Sequence, residues 1–337
     1  MFNGKKFLIT GGTGSLGTAL TKRLLKTDAE IIRIFSRDEW KQTQMQSSFN
    51  DNKRLRFFIG DIRDRDRLSR ALEDIDIVIH AAALKHVHVA EYNPFEAVKT
   101  NVYGAANLIE ACLDANVKTV IAIGTDKAVS PFNTYGATKF LMERLFISAN
   151  FYKGNHDIEF ACVRYGNVLG SRGSIVPLFV DQITSGKKIT ITDPTMTRFN
   201  ITMDQALDLI MRAIKYNVGG IVLIPKLKAY RVEDMKNVIT ELLHAENEVK
   251  RIPVRPGEKY HESLISIDEI RNTYETKEDY IILQETKDKE SQNLRKIPRI
   301  RKSILKDKYS SDMVKILTKD ELKSILIKEK LMPQNRK

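Results

Sequence analysis

Cysteine is scarce in this chain. Only Cys112, in a helical pattern, and Cys162, in a strand pattern, occur in 337 residues, so no disulfide framework supports the fold. Both thiols read as buried side chains in a reducing compartment. Long apolar runs are missing too. The longest, near residues 77–84, is interrupted by His80 and is far too short to span a bilayer. The first six residues run straight into the strand-like Phe7-Leu8-Ile9-Thr10 and lack the form of a signal peptide. These absences point to a cytoplasmic protein with no membrane insertion. No internal repeat is visible. No third ligand accompanies His86-x-His88, and Lys85 beside the pair would repel a cation, so no metal site is expected.

Acidic residues are in the minority, and the net charge is +12. Residues 285–337 hold 16 Lys and Arg against 8 Asp and Glu, most of the excess. No nucleic-acid motif or interleaving of basic and aromatic residues accompanies this charge, which argues against a nucleic-acid partner. A solvated basic surface that attracts an anionic, nucleotide-type substrate accounts for it. Hydrophobic residues at 42% and charged residues at 29% are ordinary for a soluble globular protein.

What is present is a regular alternation. Strand patterns at 7–10, 31–35, 56–59, 75–80, 119–123 and 159–163 are interleaved with helical stripes, including 101–115 and 137–151. This predicts an α/β fold, a Rossmann-type doubly wound parallel sheet with a smaller C-terminal substrate-binding domain. After Tyr165 the pattern becomes irregular. Helices are predicted at 203–216 and 232–243, and a strand at 220–224 that rejoins the sheet. The expected division is a dinucleotide-binding domain at 1–165 rejoined by 200–225, a substrate domain at 166–199 and 226–284, and a basic extension at 285–337. The stretch 285–293 is polar enough for a linker. A helical apolar stripe (Leu322, Ile325, Leu326) follows near the end.

Gly11-Gly12-Thr13-Gly14-Ser15-Leu16-Gly17 sits between the first strand and its helix. Glycines at 11, 14 and 17 permit a tight turn, close approach of backbone to phosphate, and helix–strand packing, so a pyrophosphate would rest on the helix N-terminus. The second strand ends in Phe35-Ser36-Arg37-Asp38-Glu39. Ser36 and Arg37 stand where an acid would otherwise hold a ribose 2′-hydroxyl, which favours the 2′-phosphate of NADP; Asp38 remains an alternative partner for a ribose. Asp61 and Ile62 are placed to meet the adenine, and Ala81-Ala82-Ala83 gives small side chains where a dinucleotide passes.

Thr125-Asp126-Lys127 and Tyr135-Gly-Ala-Thr-Lys139 carry the chemistry. Tyr135 and Lys139 share one helical face. The lysine charge is expected to lower the phenol pKa, making Tyr135 an acid/base for a sugar hydroxyl. Asp126 and Lys127 add a second proton transfer that simple alcohol oxidation does not need. Lys127 serves as a base if its surroundings lower its pKa, and Asp126 as an acid if its own is raised.

Further strings extend the pattern: Ala83-Leu84-Lys85-His86-Val87, Arg164-Tyr-Gly-Asn167, Ser171-Arg-Gly-Ser174, Met196-Thr-Arg-Phe199, Arg255-Pro-Gly-Glu-Lys259 and Tyr309-Ser-Ser-Asp312. With the motifs above, the chain resembles the extended short-chain dehydrogenases/reductases, and within them the inverting UDP-N-acetylglucosamine 4,6-dehydratases. The resemblance implies dehydration of UDP-GlcNAc at C4/C6 with inversion at C5. The product would be a UDP-4-keto-6-deoxy-L-arabino-HexNAc for surface glycans such as capsule or pseudaminic-type sugars. It implies a tightly bound NADP recycled in each turnover, and a homo-oligomer, dimer or hexamer. Carried over, Asp126, Lys127, Tyr135 and Lys139 are catalytic. Gly11, Thr13, Gly14, Ser15, Leu16, Gly17, Ser36, Arg37, Asp61, Ile62, Ala81 and Lys85, with Tyr135 and Lys139, bind the cofactor. Lys85, Asn167, Arg198, Arg255 and Glu258 contact substrate. Two departures are Gly124, where the family usually has serine, and the basic segment near 295–308. A UDP-HexNAc 4-epimerase on the same fold is the nearest rival, since it uses Tyr135 and Lys139 without the Asp-Lys pair. A non-catalytic NADP-binding regulatory protein is the rival from another class.

Overall fold

A computed structural model describes residues 2–283 and 295–333; the segment 285–293, expected as a linker, lies outside the described residues. Among the described residues, ten strands form one sheet. They are β1 (Lys6–Thr10), β2 (Ile31–Ser36), β3 (Leu55–Ile59), β4 (Ile77–His80), β5 (Thr119–Ile123), β6 (Glu159–Val163), β9 (Ile221–Pro225), β13 (Thr273–Glu275), β14 (Asp279–Leu283) and β15 (Arg301–Lys302). Three two-stranded pairs use β7 (Ile189–Ile191), β8 (Thr197–Phe199), β10 (Ala229–Arg231), β11 (Val249–Arg251), β12 (Ser263–Ile265) and β16 (Tyr309–Ser310). The helices are α1 (Ser15–Leu24), α2 (Glu39–Ser48), α3 (Arg65–Leu72), α4 (Val87–Tyr92), α5 (Pro94–Val98), α6 (Gly104–Asp114), α7 (Thr134–Tyr152), α8 (Ile175–Thr184), α9 (Met203–Tyr216), α10 (Val232–Leu242) and α11 (Lys319–Lys328).

The sheet order is β15-β13-β14-β9-β6-β5-β4-β1-β2-β3. From β3 to β9 every neighbouring pair is parallel. Phe7, Leu8 and Ile9 of β1 are wholly buried, as are Val78 and Ile79 of β4. Such continuous apolar strands suit a parallel sheet covered on both faces, which is the doubly wound Rossmann arrangement. The order reverses between β1 and β4, and there the carboxyl ends of the strands open a crevice.

Three features differ from the sequence reading. Strands β13 and β14 join the large sheet, although residues 226–284 were assigned to the smaller domain; antiparallel pairing of β14 with β9 buries Ile281, Ile282 and Leu283. The predicted helix at 101–115 begins with a π-helical turn, Lys99–Tyr103. Asn101 is drawn out of ordinary helical spacing there: its Oδ1 accepts from the Leu84 N–H at 2.8 Å, and its Nδ2 donates to the Leu84 carbonyl at 3.0 Å. The predicted helix at 137–151 starts earlier, at Thr134, because Asn133 Oδ1 caps it by accepting from the Gly136 N–H at 2.7 Å.

A second apolar core lies beneath the site. Phe179 of α8, Ile189 of β7, Met235 and Ile239 of α10, and Leu322 and Leu326 of α11 are buried together. The end of the chain therefore closes this core, while Tyr309–Ser310 pairs with Ser263–Ile265. Thr318 and Glu321 form a capping box that starts α11. Truncating Leu322 to alanine should lower the unfolding free energy by about 2–4 kcal/mol, measured by urea denaturation, because the cavity cannot be refilled from solvent.

Candidate active site

The crevice is a cavity of about 730 Å³ running from the glycine turn to the loops after β6. Gly11 has φ of +66°, and a Cβ there would lie 2.8 Å from the Ala82 nitrogen. A Cβ on Gly17 would overlap the Gly12 carbonyl. Gly14 is the N-cap of α1 and brings no side-chain cap, so the first N–H groups of the helix remain available at the cavity wall. A dinucleotide pyrophosphate fits this cradle. Thr13, Ser15, Leu16, Ser36, Arg37, Ile62, Ala81 and Lys85 line the same wall. Asp61 does not; its carboxylate is engaged by Arg63 at 2.8 Å and lies 3.5 Å from Arg37. Asp38 caps α2 and pairs with Lys41, and it too lines the cavity.

The acid/base residues meet where β5 gives way to a 3-10 turn, Asp126–Ala128, packed against α7. Lys127 Nζ donates to Asp126 Oδ1 at 2.9 Å and to Asn167 Oδ1 at 3.0 Å. It also stands 3.3 Å from Glu262 Oε1. Thr125, Lys127, Tyr135, Lys139 and Glu262 line the cavity, whereas Asp126 sits behind Lys127, 1% exposed. The Thr125 hydroxyl, donating to Asp126 Oδ1 at 3.0 Å, links that carboxyl to the cavity. Glu262 escaped the sequence reading: it is remote from the Asp-Lys pair along the chain, and no spacing connects them.

Electrostatics correct two expectations. Burial works to lower the Lys127 pKa, but Asp126 and Glu262 outweigh it and hold the ammonium well above its ordinary range, so the lowered pKa expected for a base is absent in the resting site. Burial raises the Tyr135 phenol, opposed by the charge of Lys127 and by Thr125. Lys139, the expected activator, is instead itself pulled down to about 8 by burial, and its Nζ approaches Met142 Sδ at 2.9 Å. Burial raises the Asp126 pKa against the pull of Lys127 and Thr125, the condition on which it could serve as an acid.

The expected substrate-side residues converge on the other end of the cavity. Asn167, Arg198, Arg255 and Glu258 line both it and an adjoining pocket of about 180 Å³. Arg198 is oriented by donating to the Thr197 carbonyl at 2.8 Å and the Tyr260 carbonyl at 3.0 Å, with Glu258 at 3.4 Å. Lys85 Nζ donates to the Arg172 carbonyl at 2.8 Å, tying two rims together.

Beneath these groups lies a buried ion triad. Arg164, wholly buried, donates through Nε and Nη2 to Glu143 and through Nη1 and Nη2 to Glu269, at 3.0 and 2.8 Å for the latter. Glu143 continues the Tyr135–Lys139 stripe of α7, so the triad anchors α7 to the segment following Glu262. The triad also bears on Gly124. A Cβ there would lie 2.8 Å from the Val163 carbonyl and 3.1 Å from Glu143 Oε2, so a side chain needs a local shift against the triad.

The sheet, the glycine cradle and the Tyr-x-x-x-Lys helix at its crevice define a short-chain dehydrogenase/reductase of the extended type. Residues 7–284 match the family model described as polysaccharide biosynthesis protein, and the chain belongs to that family. It is 48% identical over 284 residues to a UDP-N-acetylglucosamine 4,6-dehydratase (inverting) of Campylobacter jejuni, covering 84% of each chain. It is 39% identical to a UDP-glucose 4-epimerase of Rickettsia massiliae, covering 97% of this chain and 96% of the relative. The solved structure of Pen from Bacillus thuringiensis is 38% identical and superposes with a TM-score of 0.92 over 98% of this chain and 99% of that one. Among the described residues, no helix is long and apolar enough to cross a membrane.

Replacing Arg164 with methionine leaves two carboxylates buried without a cation. This should cost about 3–5 kcal/mol in urea denaturation, and the Glu143→Gln/Arg164→Met double variant should recover part of it.

Proposed function

We propose that this chain is a UDP-N-acetylglucosamine 4,6-dehydratase that inverts C5, with NADP as a resident cofactor and a cytoplasmic location. The observation that carries the reading is the Asp126–Lys127 pair, in which Lys127 lines the cavity with Tyr135 and Asp126 is buried behind it. An epimerase needs only one proton exchanged at one hydroxyl; here there are groups for two further transfers. The Campylobacter relative supports the same reaction.

The glycine turn at residues 11–17 with Ser36 and Arg37 would hold the dinucleotide, which would supply reversible hydride transfer to the sugar. Tyr135 holds the C4 hydroxyl and accepts its proton. The phenol is raised by burial in the resting site, so the positive charge of Lys127 provides the pull toward phenolate. The resulting 4-ketone acidifies C5–H. Lys127 takes that proton as the neutral amine, after its ammonium has released a proton, and Asp126, hydrogen-bonded by Thr125, supplies a proton to the departing C6 hydroxyl. Reprotonation of C5 on the opposite face gives inversion. Arg198 and Arg255 suit the diphosphate, since guanidinium binds phosphate oxygens bidentately. Arg37, at the cavity wall, supports NADP over NAD.

The Rickettsia relative favours a second reading, 4-epimerisation on the same site. Mass spectrometry of UDP-GlcNAc incubated with the enzyme separates the two. Dehydration removes one water from the sugar, and epimerisation leaves the mass unchanged. For the cofactor, Arg37→Ala should weaken NADP binding by about tenfold with little effect on NAD, read by fluorescence titration. Equal losses for both would remove Arg37 from 2′-phosphate recognition.

A further inference from the structure

We propose that Asn133 and Lys259 are positioning residues that latch the diphosphate-binding turn onto the acid/base turn, so that the grip on the diphosphate sets where the sugar carbons lie. This rests on the nucleotide-sugar reading above, in which Arg198 and Arg255 take the diphosphate while Tyr135 and Lys127 face the sugar. Asn133 and Lys259 lie outside the cavity lining and act through the residues beside them.

The diphosphate end is a rigid turn. Arg255-Pro256-Gly257-Glu258 closes on a bond from the Glu258 N–H to the Arg255 carbonyl at 3.0 Å, and Gly257 has φ of +77°. Proline followed by a glycine at positive φ is the form of a type II turn. Its two ends carry Arg255 and Glu258, and Glu258 stands 3.4 Å from Arg198. One short element therefore places Arg255 and helps to place Arg198. All four of its residues line the cavity.

Two side chains dock this turn on the residues around the acid/base groups. Asn133 Nδ2 donates to the Gly257 carbonyl at 2.7 Å, while Asn133 Oδ1 accepts from the Gly136 N–H at 2.7 Å. One amide thus caps the helix that carries Tyr135 and grips the turn that carries Arg255. A Cβ on Gly257 would lie 2.8 Å from Asn133 Cβ, so the two backbones are also closely packed. Lys259 Nζ donates to the Val129 and Ser130 carbonyls at 2.7 and 2.9 Å. These carbonyls directly follow the Asp126–Ala128 turn. Ser130 has φ of +43°, a left-handed conformation that is costly for serine, and its carbonyl and that of Val129 converge on the one ammonium. A Cβ on Gly136 would overlap the Lys127 carbonyl, so the start of α7 is packed hard against the Asp-Lys turn as well. The diphosphate turn, the capped helix and the acid/base turn form one unit. In such a unit the binding energy of the diphosphate is spent on placing the sugar, where a displacement of about 1 Å can cost roughly a hundredfold in rate.

The test compares the wild type with Asn133→Ser, Lys259→Met and the double variant. Serine keeps a cap for α7, changes no charge and is too short to grip Gly257; methionine keeps an apolar stem and removes the donors of Lys259. Turnover of UDP-GlcNAc is followed by mass spectrometry and proton NMR, so that water loss and epimerisation are both counted. UDP binding is titrated by calorimetry, and kcat is expressed per UDP-binding site, which removes any unfolded fraction from the comparison. Each single variant should bind UDP with a Kd within about threefold of the wild type, while kcat falls by about tenfold or more. The double variant should lose less than the product of the two single losses, because both changes open one latch. An unchanged kcat in Asn133→Ser overturns the proposal, and a loss confined to Lys259→Met then belongs to its charge. Losses of kcat that only follow weakened UDP binding, or that multiply in the double variant, overturn it too. A wild type that only epimerises overturns the dehydration reading, and the same variants then judge the latch on that reaction. A wild type that converts no UDP-GlcNAc overturns both.

Discussion

The arrangement turns on one half-buried ammonium held between two carboxylates. Lys127 sits among Asp126, Glu262 and Asn167, out of reach of most water, where charge interactions are strong. The same anions that fix its position keep it protonated. A lysine so placed cannot act as a base until something relieves its charge. The rest of the site follows from that constraint: a second carboxylate beside the lysine, an aspartate whose pKa burial raises, and a phenol that feels the ammonium rather than the lysine four residues along its own helix.

The scaffold meets this demand by bringing distant parts of the chain to one end of the parallel sheet. β5 delivers the Asp-Lys turn, α7 delivers Tyr135 and Lys139, and the loop before β12 delivers Glu262. Two buried clamps hold these pieces in register. The Glu143–Arg164–Glu269 triad ties α7 to the segment after Glu262, and Ser310–Ser311 ties Glu262 to the last part of the chain. Replacing a buried ion pair by apolar residues often costs nothing, so the triad is better understood as fixing geometry than as adding stability.

Much of this was legible in the sequence because it is local. The glycine turn, the Tyr135–Lys139 spacing and the alternating strands each occupy a few neighbouring residues whose conformation the residue types dictate. The strings around Asn167, Arg198 and Arg255 were likewise readable, and the structure gathers them at the cavity. What stayed hidden was non-local. Glu262 lies in a loop whose position is set by pairing with Tyr309–Ser310, and nothing near it in sequence announces Lys127 as its neighbour. The charge state of Lys127 is set by Asp126, its neighbour in sequence, together with Glu262, and only the second is non-local. The widened turn at Asn101 depends on backbone groups of Leu84, and strands β13 and β14 show their membership of the main sheet only once β9 is in place.

The central claim is that this site eliminates a proton from C5 of a nucleotide sugar. Running the reaction on UDP-GlcNAc in deuterated water and reading the product by proton NMR tests it directly. The account predicts a C6 methyl group, deuterium incorporated at C5, and C5–H couplings in the residual protonated product that report inversion. A product that keeps its C6 CH₂OH and its C5 proton, changed only in configuration at C4, would contradict it.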